Sequence, residues 1–175
     1  MNKKNIALVT GASTGIGEAL SRELVQRGYS VIGLARSLDK LTNMKNELGS
    51  TFIPIVCDVS SKLDIEKASQ QISKQNLCPS IFFLNAGMAG EKVIENPNAF
   101  KLEMHEKIMA VNYFGVLAFI ECWEKLCQEN GGANFIVTSS VNAIFAAPTG
   151  SAYCASKAAI SKAFESLSLT YFATN

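Results

Sequence analysis

The chain has 175 residues, of which 48% are apolar and 18% charged, a balance that suits a globular domain with a sizeable core and excludes a disordered segment. Sixteen basic and fifteen acidic residues leave a net charge of +1, mixed along the chain without a basic stripe, so neither nucleic acid nor an anionic membrane is expected as a partner. The five cysteines (Cys57, Cys78, Cys122, Cys127, Cys154) are odd in number and form no Cys-x-x-Cys pair, which argues against a disulfide framework or a zinc site and for a reducing, cytoplasmic setting.

In chain order, Lys3 and Lys4 precede Ile6-Ala7-Leu8-Val9, an apolar run shorter than the roughly 7–15 residues of a signal-peptide core. No later run reaches the roughly 18 residues needed to span a bilayer. The segment reads as a buried first strand. Further short apolar runs follow at Val31–Leu34, Phe52–Val56, Ile81–Leu84 and Phe135–Thr138, each nearly continuous, as strands buried on both faces of a parallel sheet should be. Between them lie candidate helices at Gly15–Arg27, Asp39–Leu48, Lys62–Lys74, about Phe100 to Glu129, and Ser151–Phe172. In the first, Ile16, Leu20 and Leu24 recur every fourth residue and Gly28 stands as a C-terminal stop. Strand–helix alternation of this kind predicts a doubly wound α/β sheet. Pro54 removes a ladder donor from the third strand and so places it at an edge, as the order 3-2-1-4-5 would. Gly131-Gly132 and Pro148-Thr149-Gly150 read as turns within one domain spanning residues 1–175. Strand 5 has no following strand, so either the chain is C-terminally truncated or another chain covers that edge.

The first strand runs into Thr10-Gly11-Ala12-Ser13-Thr14-Gly15-Ile16-Gly17, which opens the first helix. Backbone approaches a pyrophosphate only where no Cβ intervenes, and a helix N-terminus offers free N–H groups and a positive dipole end. The G-x3-G-x-G spacing in a strand–turn–helix setting points to a dinucleotide, with Gly11, Ser13, Thr14, Gly15, Ile16 and Gly17 as candidate contacts. After strand 2 comes Ala35, then Arg36-Ser37, with no acid until Asp39. A guanidinium accommodates a 2′-phosphate where a carboxylate would repel it, so NADP(H) is favoured over NAD(H).

Ser140 ends the fifth strand, and Tyr153 and Lys157 follow thirteen and seventeen residues later. Tyr-x-x-x-Lys at i and i+4 puts both side chains on one helix face. A free phenol is a poor base at neutral pH, and a nearby ammonium stabilises its anion enough for acid–base work. Ser140 could then hold a carbonyl or hydroxyl oxygen while Tyr153 gives or takes the proton.

Thr10–Gly17, Asn85-Ala86-Gly87, Asn112, Ser140 and Tyr153-Cys154-Ala155-Ser156-Lys157, in that order over the whole chain, resemble the short-chain dehydrogenase/reductase family. The resemblance implies a Rossmann-type fold, NADP(H), and interconversion of an alcohol with a ketone or aldehyde through Ser140, Tyr153 and Lys157. It also implies that Lys157 and Tyr153 meet the nicotinamide ribose and that Asn112 supports a water in a proton relay. Asp58-Val59 would contact the adenine, and Asn85-Ala86-Gly87 would brace the sheet beside the cofactor. Leu84 and Ala143 depart from the family pattern, which commonly has Asn and Gly at those positions. The family's further C-terminal strands have no counterpart here. The alternative from another class is a catalytically silent NADP(H)-binding sensor or interaction module, against which the intact Asn112, Ser140, Tyr153 and Lys157 set argues.

His105, the single histidine, lies among Glu103, Glu106 and Lys107 and reads as solvated; no metal site is expected. Cys154 reads as packing. Phe114, Leu117, Phe119, Ile120 and Trp123 spread around much of the fourth helix, which suggests either burial against the sheet or a homodimer or homotetramer formed through the two long C-terminal helices. Ile144, Phe145, Ala146 and Ala147 make the Val141–Gly150 loop apolar and favour a hydrophobic carbonyl substrate over a sugar.

Overall fold

The computed structural model describes residues 5–90, 101–148 and 150–173. Phe100 and Thr149, which the sequence assigned to a helix and a turn, lie outside them. Two compact units emerge: residues 1–86 with 115–138, and residues 87–114 with 139–175.

The first unit is a parallel sheet of β1 (Ile6–Thr10), β2 (Ser30–Ala35), β3 (Phe52–Val56), β4 (Ile81–Leu84) and β5 (Asn134–Val137), in the order β3-β2-β1-β4-β5 predicted from the strand–helix alternation. Helices α1 (Gly15–Gln26), α2 (Leu38–Leu48) and α3 (Lys62–Lys74) connect the strands, and α5 (Gly115–Glu129) precedes β5. Pro54 lies in the edge strand β3, paired with Gly33. A Cβ at Gly33 would meet the Phe52 ring at 2.3 Å, so glycine there makes room for an aromatic on the neighbouring strand.

The two faces of the sheet are filled differently. Ala7, Val9, Val31, Ala35 and Phe52 pack with Leu24 of α1 and with Leu41 and Met44 of α2. On the other face Phe82 stacks on Phe135 at 4.5 Å between centroids and meets Trp123 of α5 at 5.4 Å. Continuous burial holds for β1 and for β2 apart from Ser30. It fails in β3, β4 and β5, whose residues are only partly buried at alternate or scattered positions. The physical reason is coverage. Helices α1 and α2 contact β1, β2 and β3. On that face Phe83 is therefore only partly buried, and Ile136 is 45% exposed.

The apolar stripe predicted for α1 needs correction. Leu24 is buried and Leu20 packs against the core as expected, but Ile16 is 68% exposed, and Gly17 and Ser21 are buried instead, so the first turn meets the sheet through small side chains that allow close approach. At the far end Gly28, with φ +85°, donates its N–H to Val25 O, and Tyr29 N–H reaches Leu24 O, a glycine stop as the sequence indicated.

The second unit contains α4 (Leu102–Met109), a π-helical turn at Ala110–Phe114, a 3₁₀ turn at Val141–Ala143, and α6 (Ser151–Ala173). The predicted fourth helix is thus interrupted at the residues around Asn112. Ile108, Ala152 and Ile160 are buried, and α4 packs against α6. His105 is not simply solvated: its Nε2 lies 3.2 Å from Ser151 Oγ at the start of α6. Among the described residues no helix is long and apolar enough to cross a membrane.

Candidate active site

In the first unit the glycine turn is locked to the ends of two other strands. Thr10 Oγ1 accepts the Ala86 N–H at 2.9 Å, Asn85 Nδ2 donates to Thr10 O at 3.4 Å, and Thr138 Oγ1 donates to Asn85 Oδ1 at 3.0 Å. One asparagine therefore ties β1, β4 and β5 together at their C-terminal ends, where parallel sheets place their ligands. The turn runs so close to this brace that glycine is required at two positions. A Cβ on Gly17 would lie 2.2 Å from Gly11 O, and one on Gly11 would lie 3.0 Å from Ala86 Cα. Gly15, by contrast, has φ +56°, and a methyl added to its Cα would meet nothing within 4 Å, so that side faces open space.

The start of α1 differs chemically from its neighbours. Ser37 caps α2 by accepting the Lys40 N–H, and Ser61 caps α3 by accepting the Asp64 N–H. Thr14, at the same position of α1, makes no side-chain cap. Ser13, Thr14, Gly15 and Ile16 are half-buried or exposed around that uncapped turn. Such a terminus can take an anion.

Arg36, exposed just past β2, and Asp58, just past β3, feel each other's charge. Burial tends to raise the Asp58 carboxyl pKa, but the Ser60 N–H, the Ser60 hydroxyl and Arg36 together hold it below the usual carboxylate value. Val59 beside it is half-buried. Ser37 lies next to Arg36, with its hydroxyl turned to the cap of α2.

In the second unit α6 carries Tyr153 and Lys157 one turn apart, with Lys157 Nζ 5.8 Å from the Tyr153 ring centroid. Lys157 is only 4% exposed, and burial depresses its ammonium pKa. Ser140 caps the 3₁₀ turn, its Oγ accepting the Asn142 N–H at 3.2 Å. Ser139 Oγ lies 2.5 Å from Ser161 Oγ, which fixes the chain just before Ser140 to α6.

Asn112, in the π turn, is 1% exposed. Its Nδ2 donates to Met88 O and to Ser156 Oγ, each at 2.9 Å, and its Oδ1 accepts the Met88 N–H at 2.8 Å. Ser156 Oγ in turn donates to Tyr153 O at 2.8 Å. Both amide hydrogens of Asn112 are committed to holding the segment after Gly87 against the helix that bears Tyr153. Any part it plays in a proton relay would fall to its other atoms. Gly87 itself is exposed and leads into that segment.

Sequence reasoning did not single out Asn142, Ser156, Ser139 or the structural use of Thr10. Only Thr10 and Ser156 fall inside motifs; the bonds from Thr10 to Ala86, Ser156 to Asn112 and Ser139 to Ser161 span long gaps in sequence, whereas Asn142, two residues from Ser140, carried a local signal in its capacity to bond a neighbouring hydroxyl. Cys154 is more than packing, since its Sγ accepts the Ala147 N–H at 3.4 Å.

A five-stranded parallel sheet in the order β3-β2-β1-β4-β5, with a glycine-rich turn after its first strand, defines the class of Rossmann-type α/β proteins. Within that class this chain belongs to the short-chain dehydrogenase family, whose model matches residues 5–175. It is 32% identical over 157 residues to the NADPH-dependent pterin aldehyde reductase of Arabidopsis thaliana, covering 87% of this chain and 63% of that protein. Over 89 residues it is 42% identical to dehydrogenase/reductase SDR family member 11 of Gallus gallus, covering 48% of this chain and 35% of that one. The chain thus spans less than two thirds of either relative. Among solved structures it resembles the alcohol dehydrogenase of the archaeon Thermococcus sibiricus complexed with 5-hydroxy-NADP, with TM-score 0.85 and 27% identity over 95% of this chain and 71% of that one.

Proposed function

We propose that the protein is an NADP(H)-dependent oxidoreductase that interconverts an alcohol and a ketone or aldehyde, with Tyr153 as the proton donor and acceptor. The observation that carries this reading is Lys157. A lysine 4% exposed is costly to keep charged, and in a purely structural helix an apolar side chain would fill the same space more cheaply. Its place 5.8 Å from the Tyr153 ring gives the buried charge a purpose.

The residues present fit a dinucleotide. The uncapped start of α1, with open space at Gly15, would receive the pyrophosphate through backbone N–H groups flanked by Ser13, Thr14 and Ile16. Gly11 and Gly17 let the turn close on Asn85 and Ala86 behind it. Arg36 and Ser37 would meet a 2′-phosphate, and Asp58 and Val59 the adenine. NADP(H) over NAD(H) rests on Arg36 standing where an acid would otherwise be, and the NADPH-dependent relative agrees with it. When bound, the nicotinamide supplies or accepts the hydride. Ser140 donates its O–H to the substrate oxygen, Tyr153 transfers the proton at its Oη, and Lys157 supplies the positive charge a phenolate needs and holds the ribose.

The exposed Val141, Ile144 and Phe145 beside Ser140 support a hydrophobic carbonyl compound as substrate. Association of copies through α5 and α6 is also part of the reading, supported by Leu169 at 68% exposure on α6; sedimentation of a monomer at high concentration would remove it.

The decisive experiment is Tyr153→Phe. NADPH binding, followed by fluorescence, should stay near that of the native protein, while carbonyl reduction falls by roughly 10²–10⁴-fold. Unchanged turnover would end the assignment.

A further inference from the structure

We propose that Asn142 is a positioning residue that aims the Ser140 hydroxyl and ties it to the helix bearing Tyr153. The inference rests on the catalytic reading of Ser140 and Tyr153 and extends it to a residue outside the motifs.

The loop from Val141 to Gly150 has little apolar anchorage. Val141, Ile144 and Phe145 are 65%, 81% and 67% exposed. Ser140 therefore depends on polar contacts, and among the described residues those of its hydroxyl run to Asn142. Asn142 donates its main-chain N–H to Ser140 Oγ at 3.2 Å, and its Oδ1 accepts the Ser140 O–H at 3.4 Å. The same side chain turns its Nδ2 toward Cys154, donating to Sγ at 3.7 Å, and Cys154 follows Tyr153 directly in the helix. Ala147 N–H donates to that sulfur as well, so the thiol holds the loop at two points, Asn142 and Ala147. A chain of hydrogen bonds thus leads from the Ser140 oxygen through Asn142 to the residue adjoining Tyr153.

The chemistry follows from which of these bonds is weak. The contact from Ser140 O–H to Asn142 Oδ1 is long for a hydroxyl donor, so a substrate oxygen can take the proton from it. The N–H donated into Ser140 Oγ stays in place and polarises the hydroxyl, which makes it a better donor. Asn142 therefore parks the hydroxyl in the free protein and supports it when a carbonyl arrives. The residue lies outside the Ser–Tyr–Lys spacing.

The test is a double-mutant cycle with 4-nitrobenzaldehyde as the probe carbonyl and NADPH as reductant. Asn142→Ala keeps the main-chain N–H but loses the Oδ1 contact and the tie to Cys154 that hold the Ser140 hydroxyl in place, so kcat should fall by roughly tenfold while NADPH affinity holds. In a Ser140→Ala background the same change should cost nothing further, since its effect passes through the missing hydroxyl. Multiplying losses, or a native kcat in Asn142→Ala beside a slow Ser140→Ala, would overturn the proposal and leave the function standing. A native kcat in Ser140→Ala, or no turnover of any carbonyl by the native protein, would count against the function itself. A second arm needs no turnover: in the cofactor-free chain, Asn142→Ala and Cys154→Ala should each speed amide exchange at Ala147 by tenfold or more. Native protection in both would overturn the link to α6.

Discussion

Replacing Gly17 by Ala puts a single methyl where the turn has no space. Its carbon would lie 2.2 Å from Gly11 O, 2.8 Å from Gly11 C and 2.8 Å from Asn85 Nδ2. Two of those neighbours are backbone, and none is the free end of a flexible side chain. Gly17 is also held from behind, because Ser21 Oγ donates to its carbonyl at 2.7 Å. Relief must come from moving the turn off Asn85, which would strain the brace between β1 and β4. Overpacking of this kind costs about 1–3 kcal/mol, and at roughly 2–4 °C per kcal/mol for a chain of this size the midpoint should fall by several degrees. Gly15→Ala is the control. Its methyl meets nothing within 4 Å, and its cost is the left-handed φ of +56° alone, about 1–2 kcal/mol. Thermal unfolding of both cofactor-free variants, followed by NADPH titration, separates the effects. Gly17→Ala should lose both stability and affinity through displacement of the turn. If it unfolds no earlier than Gly15→Ala and binds as the native protein does, the close-approach argument is wrong.

Arg36→Asp should reverse the preference between NADPH and NADH, read as the ratio of kcat/KM values, and an unchanged ratio would refute the role of the guanidinium. Lys157→Met should abolish turnover and remove the one titration that burial of this ammonium adds to the folded chain. Burial depresses the Lys157 pKa in the folded chain, so the unfolded chain holds that proton more tightly, and raising pH through the window between the two values favours folding. The midpoint of the native protein minus that of Lys157→Met should therefore rise from neutral toward strongly basic pH; a difference that falls would contradict the desolvation argument. Asn112→Ala removes the partners of Met88 N–H and O and of Ser156 Oγ, and should destabilise by roughly 1–3 kcal/mol for each group left unpaired, measured by urea unfolding.

Local chemistry alone determined the order of elements and their types. Nearly continuous apolar runs, Pro54 in an edge strand, Gly28 ending α1 and the glycine turn after β1 all express preferences that act over a few residues, so they were readable without coordinates. The i, i+4 spacing of Tyr153 and Lys157 is of the same kind. What only the tertiary structure decided is where side chains meet across long gaps in sequence. The exposure of Ile16 follows from Gly17 and Ser21 taking the packed face of α1, and the break of the fourth helix at Asn112 comes with an amide that bonds Met88 and Ser156. Partial burial of β4 and β5 depends on which strands α1 and α2 happen to cover. Hydrogen-bond partners such as Thr138 for Asn85, or Cys154 for Asn142, leave no periodic trace, because a polar group's choice of a distant partner is set by the packing that brings the two together.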